Sequence, residues 1–241
     1  MKPTALVGGV GGNPGLGAAL AKKFSSEGLS VTVCGRSRAK LDAIVDEIVE
    51  SGGEAIAIEC DTTKEKSVNE MFDLIERSSG NAPELVVYNA GNSVSGKIAD
   101  MDSDTFVNAW KVLCLGGFYV GRECARRMKS GGTLIYTGAS ASLRGKAGFG
   151  AFNSGKSALR TLSQSLAKEC GPDGLHVAHV IIDGGIAGQR QFDRMSESVT
   201  EDVRRRLIDL ESLADVYWML HNQSATGWTF ELDLRTSIES W

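Results

Sequence analysis

The sequence predicts a single α/β domain over residues 1–241, built on a doubly wound parallel sheet with helices on both faces. Three observations lead to this prediction: short apolar runs alternate with helical patterns, the runs are apolar at almost every position, and a glycine-rich turn follows the first run. Strands that are apolar on both sides are buried on both sides, which is typical of parallel sheets covered by helices. With 42% hydrophobic residues, the chain can bury one substantial core.

Strands and helices alternate along the chain. The strands are predicted at 4–7, 29–34, 55–60, 84–91, 133–138 and 176–183. The segments between them carry apolar residues at i, i+3 and i+4 spacing, as in Leu41, Ile44 and Ile48, which indicates amphipathic helices. These helices are predicted at 18–28, 39–53, 67–80, 104–128 and 155–171. Residues 186–212 are polar and then helical, and we expect them to form a flexible lid over a site.

Charge and composition exclude several classes of function. The net charge is −4 and no basic stripe is present, so we expect no nucleic-acid partner. No apolar run is long enough to span a bilayer and the N-terminus does not resemble a signal peptide, so we expect a cytoplasmic protein without a membrane partner. The cysteines include no CxxC pair, and we expect reduced, mostly buried thiols and no metal site: Cys34, Cys60, Cys114, Cys124 and Cys170.

The glycine-rich segment GGVGGNPGLG follows the first predicted strand and opens the first predicted helix. Its glycines, among them Gly11, Gly15 and Gly17, permit a tight turn and a close approach of the backbone to a ligand, with Leu16 between the last two. A helix N-terminus at that point favours an anion such as a pyrophosphate. We therefore expect a Rossmann-type dinucleotide site, and the alternative is a tight strand-to-helix turn that binds nothing.

The second predicted strand ends in VCGRSR, where an acidic residue would accept hydrogen bonds from a ribose 2′-hydroxyl. This chain has Gly35 and then Arg36 at that place. Because a guanidinium suits a 2′-phosphate, NADP is the expected cofactor, with NAD as the second choice. The alternative is that Arg36 is an ordinary solvated arginine.

With these motifs, the chain resembles the short-chain dehydrogenase/reductase family over nearly its whole length. The Gly-x-x-x-Gly-x-Gly loop of that family matches Gly11, Gly15 and Gly17, although the segment after the strand is longer here. The chain departs from the family's pattern at two other positions: Tyr88 replaces the first asparagine of the Asn-Asn-Ala-Gly segment, and Asp183 replaces the proline of the Pro-Gly pair after the sixth strand. Further positions that match the family's cofactor contacts are Asp61 in ECDTT, Asn89, Ala90 and Gly91 in YNAG, Lys156, and Gly184 after the sixth strand.

The resemblance implies hydride transfer between a nicotinamide and a carbonyl or alcohol carbon, with a tyrosine as the acid and base. In this chain the tyrosine position is Phe152, one helical turn before Lys156, which matches the family's lysine that holds the nicotinamide ribose. The family's asparagine position falls on Leu113, and its substrate-orienting serine falls at Ala139 or Ser140, of which Ser140 carries a hydroxyl. The family also implies a homodimer or a homotetramer.

The missing tyrosine bears directly on the expected reaction. Phenylalanine has no proton to donate, and a positioned acid–base group contributes roughly 10²–10⁴ in rate. We expect another group to replace it, and the groups considered are Ser140, Ser142, Tyr88, Lys156 and a bound water.

The favoured hypothesis is an NADP-preferring oxidoreductase that acts on a small-molecule carbonyl or alcohol with a modified acid–base arrangement. Two alternatives stay open: a cofactor-binding protein without turnover, such as a sensor or subunit partner, and a non-redox enzyme on the same fold. Arg144 and Lys146 lie in the loop after the fifth strand. We expect them to be solvated charges, with selection of an anionic substrate as the alternative.

Overall fold

The computed structural model describes residues 2–129, 131–195 and 200–239, and a parallel sheet of seven strands lies at its centre. In chain order these strands are β1 (Thr4–Gly8), β2 (Ser30–Gly35), β3 (Glu54–Glu59), β4 (Leu85–Tyr88), β5 (Gly132–Thr137), β6 (Leu175–Ile182) and β9 (Glu231–Leu234). Their spatial order is β3-β2-β1-β4-β5-β6-β9, and every neighbouring pair is parallel. Two short strands form a separate parallel pair, β7 (Gly185–Ile186) and β8 (Leu207–Ile208).

Helices cover both faces of the sheet. One face packs against α1 (Leu16–Ser26), α2 (Arg38–Glu50) and α9 (Leu210–His221). The other packs against α3 (Glu65–Ser79), α5 (Gly116–Arg127) and α6 (Gly150–Cys170), with α4 (Ser103–Trp110) outside them. A π-helical segment, Lys111–Leu115, joins α4 to α5. The short helices α7 (Gln189–Phe192) and α8 (Glu201–Arg205) lie between β7 and β8.

The strands are buried on both faces, as their apolar sequences predict. In β1, Ala5 and Val7 pack beneath α1, α2 and α9, whereas Leu6 packs beneath α3, α5 and α6. Each of these three side chains is at most 1% exposed. The alternation follows from the two-residue period of a strand, and it fixes the register of the sheet because a slip by one residue would exchange the two cores.

The order in which successive strands are added to the sheet reverses between β1 and β4. The chain runs from β1 outward to β2 and β3, and then crosses to β4 on the other side of β1. As a result, the helix after β1 and the helices after β4 lie on opposite faces, and a crevice opens where they diverge. Ligands of open α/β sheets bind in such a crevice, outside the carboxyl ends of the strands.

The doubly wound fold is confirmed, and most strand bounds agree with the prediction to within one or two residues. β4 is shorter than predicted and ends at Tyr88. The predicted helix at 104–128 is divided by the π-helical segment, and α6 begins at Gly150, before the predicted start at 155. Of the predicted lid at 186–212, residues 196–199 lie outside the described residues, and its flexibility stays a prediction.

Neither α9 nor β9 was predicted from the sequence. β9 has only four residues, ELDL, and half of them are acidic. It becomes a strand by pairing with β6, from His179 opposite Glu231 to Ile182 opposite Leu234. None of the helices in the described residues combines the length and apolar character needed to cross a bilayer. All five cysteines are free thiols, and only Cys170 is not fully buried.

Candidate active site

A cavity of about 930 Å³ opens at the carboxyl ends of the strands, in the crevice between β1 and β4. Its walls come from the loops that follow β1 to β6, and from the first turns of α6. The expected cofactor contacts line this cavity together with three of the expected catalytic positions: Gly11, Gly15, Leu16, Gly17, Arg36, Asp61, Asn89, Ala90, Gly91, Ser140, Phe152, Lys156 and Gly184. The fold therefore brings them together, while their individual roles stay predictions.

The close approach of the first loop to the neighbouring strand depends on Gly9. This residue has φ +83°, and a Cβ atom there would lie 2.2 Å from the backbone nitrogen of Ala90. The amides of Gly9 and Val10 both donate to the carbonyl of Cys34, at 2.9 and 2.8 Å. By contrast, a Cβ on Gly11 would meet nothing within 4 Å. The sequence match selected Gly11 as the first glycine of the loop and missed Gly9, although the double glycine at the strand end was a usable signal.

The glycine-rich loop ends at the N-terminus of α1. Gly15 is the N-cap residue, and no side chain caps the helix there, so the first-turn amides are available to an anion. A Cβ on Gly15 would lie 2.6 Å from the carbonyl oxygen of Gly12, and one on Gly17 would lie 3.1 Å from Val10 Cα. Glycine is therefore required at both positions by the compact shape of the loop, whose concave side faces the cavity.

Arg36 lies at the far end of the cavity, directly after β2, and it is exposed. Its neighbour Arg38 is held in an ion pair by Asp42, with 2.8 Å between Nε and Oδ1. Of these two neighbouring arginines, Arg36 lines the cavity and Arg38 does not. Across from Arg36, Asp61 Oδ1 accepts hydrogen bonds from the amide and hydroxyl of Thr63, at 3.0 and 2.7 Å. These groups define the end of the cavity that suits a nucleoside.

Lys156 lies at the opposite end, on α6, and is only 5% exposed. Its Nζ donates to the carbonyl of Thr137 at the end of β5, at 2.6 Å. Burial lowers the pKa of this lysine to about 8. Phe152 lies one turn earlier on the same helix and packs against the apolar cluster of Ala109, Leu113 and Ala151. Lys156 is therefore mostly protonated at neutral pH, and it releases its proton as the pH rises through about 8.

Leu113 fills the place where the resemblance implies an asparagine. Its side chain is fully buried in the π-helical segment, and a Cβ on Gly155 would lie 2.7 Å from Leu113 Cβ. A Cβ on Gly91 would lie 3.9 Å from Leu113 Cδ2 and 4.0 Å from Lys156 Nζ. The lysine thus has an apolar neighbour where a polar amide is implied by the family.

The structure narrows the groups that could replace the tyrosine. Tyr88 is fully buried and donates its hydroxyl to the carbonyl of Val112 at 2.6 Å, and burial raises its pKa. The Ser142 hydroxyl is likewise buried, and it donates to the carbonyl of Ala139 at 2.6 Å. Neither residue lines the cavity in the part of the chain that the structure describes, whereas Ser140 and Lys156 do. Tyr88 as the substitute donor is therefore wrong, because its hydroxyl is committed to the protein interior.

A partly buried polar network lies near the lysine. Arg160 contacts both carboxylate oxygens of Glu231 at 2.7 Å, and His179 Nδ1 lies 2.9 Å from Oε2 of the same carboxylate. Burial, against the opposing effect of Glu231, lowers the pKa of His179 to about 4, so the imidazole is neutral. A Cβ on Gly138 would lie 2.4 Å from His179 Nε2. The imidazole therefore supports the turn next to Thr137, the residue that holds Lys156.

The segment after β6 closes over the cavity from the side opposite α6. The amide of Gln189 donates to the carbonyl of Pro14 in the first loop, at 2.8 Å. At the root of this segment, the buried carboxylate of Asp183 pairs with Arg144 and Arg235, each at 3.2 Å. Arg144 is therefore ion-paired rather than only solvated, whereas Lys146 stays exposed above the Phe149 ring.

Comparison with known proteins agrees with this geometry. Residues 9–231 match a family model described as enoyl-(acyl carrier protein) reductase. Versicolorin reductase stcU of Emericella nidulans is 33% identical over 169 aligned positions, which cover 69% of this chain and 63% of that protein, less than two thirds of its length. The uncharacterized oxidoreductase YxjF of Bacillus subtilis is 29% identical over 246 aligned positions, which cover 95% of this chain and 94% of that protein.

Solved structures share the whole architecture. A short-chain dehydrogenase from Rhodopseudomonas palustris superposes with a TM-score of 0.79 at 34% identity, covering 96% of this chain and 98% of that chain. An alcohol dehydrogenase from the archaeon Thermococcus sibiricus, complexed with 5-hydroxy-NADP, has a TM-score of 0.86 at 21% identity, covering 99% and 98%. At that lower identity the likeness concerns the fold alone.

Proposed function

The chain belongs to the short-chain dehydrogenase/reductase family, and on that premise we propose that it is an NADP-dependent oxidoreductase acting on a carbonyl or alcohol. One observation supports this proposal above the others: an uncapped helix start and a buried lysine face the same cavity from opposite ends. The first suits a pyrophosphate and the second suits proton transfer. A dinucleotide that spans the cavity would bring its reactive ring to the lysine.

The residues of the cavity fit NADP. The amides at Gly15 to Gly17 would bind the pyrophosphate, and Arg36 would bind the 2′-phosphate. Asp61 would contact the adenine. The nicotinamide half would lie along the loops after β4 and β6, against Asn89, Ala90, Gly91 and Gly184. When bound, NADP supplies or accepts the hydride.

Lys156 is the proposed proton donor for reduction of a carbonyl. Its ammonium group would give a proton to the substrate oxygen, which becomes a hydroxyl, and would recover the proton from solvent. Ser140 would donate a hydrogen bond to the same oxygen, and Phe152 would keep the wall of the pocket apolar. Because the pKa of Lys156 is lowered to about 8, reduction is expected to slow as the pH rises above about 8. Oxidation of an alcohol needs the neutral amine and is expected to accelerate over the same range.

A second candidate function is cofactor binding without turnover. The observation that favours it is the pair of apolar side chains, Phe152 and Leu113, at the two positions where the family implies a tyrosine and an asparagine. A non-redox reaction on the same fold is the third, and it differs from the other two in needing no nicotinamide.

A panel of aldehydes and ketones with NADPH tests the proposal, on the wild type, Lys156→Met and Phe152→Tyr. We expect slow turnover by the wild type, a loss of roughly 10²-fold or more in Lys156→Met, and a gain of roughly 10-fold or more in Phe152→Tyr. A wild type that stays inactive on every substrate while Phe152→Tyr is active would favour the second function. Turnover that is indifferent to Lys156→Met would exclude the lysine as the proton donor.

The assembly and the lid are further proposals. The family resemblance supports a homodimer or a homotetramer, which light scattering after size-exclusion chromatography would measure. The segment at 186–212 is proposed to loosen when substrate enters, because it contacts the first loop through Gln189 and contributes one wall of the cavity.

A further inference from the structure

The side chains of two arginines in the segment after β6 reach the loop that follows β4. Arg190 lies in α7 and Arg194 one helical turn later. Arg190 donates to the carbonyl of Gly91 at 3.2 Å, and Arg194 donates to the hydroxyl of Ser93 at 3.4 Å. Both side chains line the cavity. Two guanidinium groups therefore stand together over one end of it.

Neither guanidinium has an acidic partner among the residues that the structure describes, and both bond only to neutral oxygens. Asp193 lies between them in sequence and also lines the cavity, but it forms an ion pair with neither arginine, and its Oδ1 accepts from Gln189 Nε2 at 2.7 Å. Partial burial, followed by repulsion from Arg194, lowers the pKa of Arg190. Two like charges held close together without a counter-charge are unfavourable, and an anion placed between them would relieve the repulsion.

The acidic groups elsewhere in this part of the cavity do not remove the positive excess. Asp183 is shared by Arg144 and Arg235, and Glu239 lies near Gly184 at the other side of the lid root. Lys146 adds a further positive charge on the wall formed before α6.

The two arginines lie at the reactive end rather than at the nucleoside end. Gly91, which accepts from Arg190, is the residue that approaches Lys156 Nζ. Ser93, which accepts from Arg194, precedes Val94, and Val94 and Phe152 pack against the same apolar cluster. The guanidinium groups therefore lie at the end of the cavity that holds Lys156 and Phe152, whereas Arg36 lies at the opposite end.

We propose that Arg190 and Arg194 bind an oxyanion group of the substrate, so that this protein acts on carbonyl compounds that carry a carboxylate or a similar anionic group. The inference rests on the proposed function, and it adds the substrate class. Guanidinium groups bind carboxylates through charge-assisted, often bidentate hydrogen bonds, which discriminate strongly against a neutral analogue of the same size.

Two matched probes test the proposal: 4-carboxybenzaldehyde, and methyl 4-formylbenzoate, in which the charge is removed. Each is titrated calorimetrically into the full-length protein saturated with NADP⁺, so that the pyrophosphate cradle is filled and no reduction takes place. Each is also assayed for kcat/KM with NADPH. The variants are Arg190→Gln and Arg194→Gln, and the control is Arg77→Gln, an exposed arginine on α3 that does not line the cavity.

We expect the wild type and Arg77→Gln to bind the acid at least about 10-fold more tightly than the ester, and each lid variant to lose most of that preference. Equal affinity for acid and ester in the wild type would overturn the proposal. An acid preference that survives in both lid variants would also overturn it. So would a lid variant that binds NADPH more weakly but keeps the acid preference, because the arginines would then contact the cofactor's pyrophosphate. If NADP⁺ does not bind, the proposed function is wrong, and the acid-to-ester ratio is then measured on the free protein.

Discussion

The two ends of the cavity are built in different ways. The nucleoside end relies on backbone: the loop around Gly9, the uncapped start of α1, and the close passage of Val10 beside Gly35, where a Cβ would lie 2.4 Å from the Val10 oxygen. The proposed reactive end relies on side chains, and Phe152 in its wall and the buried Leu113 are apolar where the resemblance implies polar groups. Backbone contacts therefore constrain the first end strongly, whereas the second end depends on which side chains the helices present.

This difference has a general physical cause. A glycine that lets two segments approach cannot be replaced without moving backbone, so its loss costs stability as well as binding. A side chain that projects into a cavity can lose its hydroxyl at little cost to the fold, because the ring still packs.

The largest effect is expected for Gly9→Ala. The new Cβ would lie 2.2 Å from the Ala90 nitrogen at a φ of +83°, so two backbone segments must separate. We expect the free energy of unfolding to fall by about 3 kcal/mol or more, and NADPH binding to be lost. Urea denaturation measures the first and fluorescence titration the second. The matched control is Gly11→Ala, which has space around its Cβ and should change stability by no more than about 0.5 kcal/mol.

The second effect should have the opposite sign. Lys156→Met removes a buried ammonium group, and we expect it to stabilise the free protein by about 1 to 3 kcal/mol at neutral pH, with loss of turnover. The folded-state pKa of about 8 is below the ordinary value for lysine, so the folded protein releases this proton first. The wild type should therefore gain stability as the pH rises from about 8 to about 10, and the advantage of the variant should shrink. A Met variant that is less stable at neutral pH would contradict this account.

The smallest effect concerns cofactor choice at the nucleoside end. Arg36 is exposed, so Arg36→Asp should leave the fold intact. It should weaken NADPH binding by about 10-fold or more and leave NADH binding unchanged or stronger, since a carboxylate repels a 2′-phosphate and accepts from a ribose hydroxyl. Equal losses for the two nucleotides would show that Arg36 does not contact the 2′-phosphate.

The sequence was most informative where a structure depends on local pattern. Strands that are apolar at nearly every position, helices with a regular apolar face, and a glycine-rich turn between the two define the sheet and the cofactor loop. Lys156 lines the cavity on the helix that follows β5, where the resemblance puts it, and its role stays a prediction.

Other features depend on contacts between distant residues and had no local signal. Gly9 is required by Ala90, and β9 becomes a strand only beside β6. The link of His179 to Arg160 through Glu231 forms only when β9 is in place beside β6. Tyr88 ends a strand at the correct edge of the sheet, but its hydroxyl is buried and bonded to the carbonyl of Val112, a partner that the sequence does not specify.

A fluorescence titration with NADPH and NADH shows whether this protein binds a nicotinamide dinucleotide. The central claim is that the amides at the start of α1 hold a dinucleotide whose reactive ring reaches Lys156. The expected result is saturable binding of NADPH, tighter than that of NADH, which is abolished in Gly9→Ala and retained in Phe152→Tyr. Binding of neither nucleotide at millimolar concentration would contradict the account.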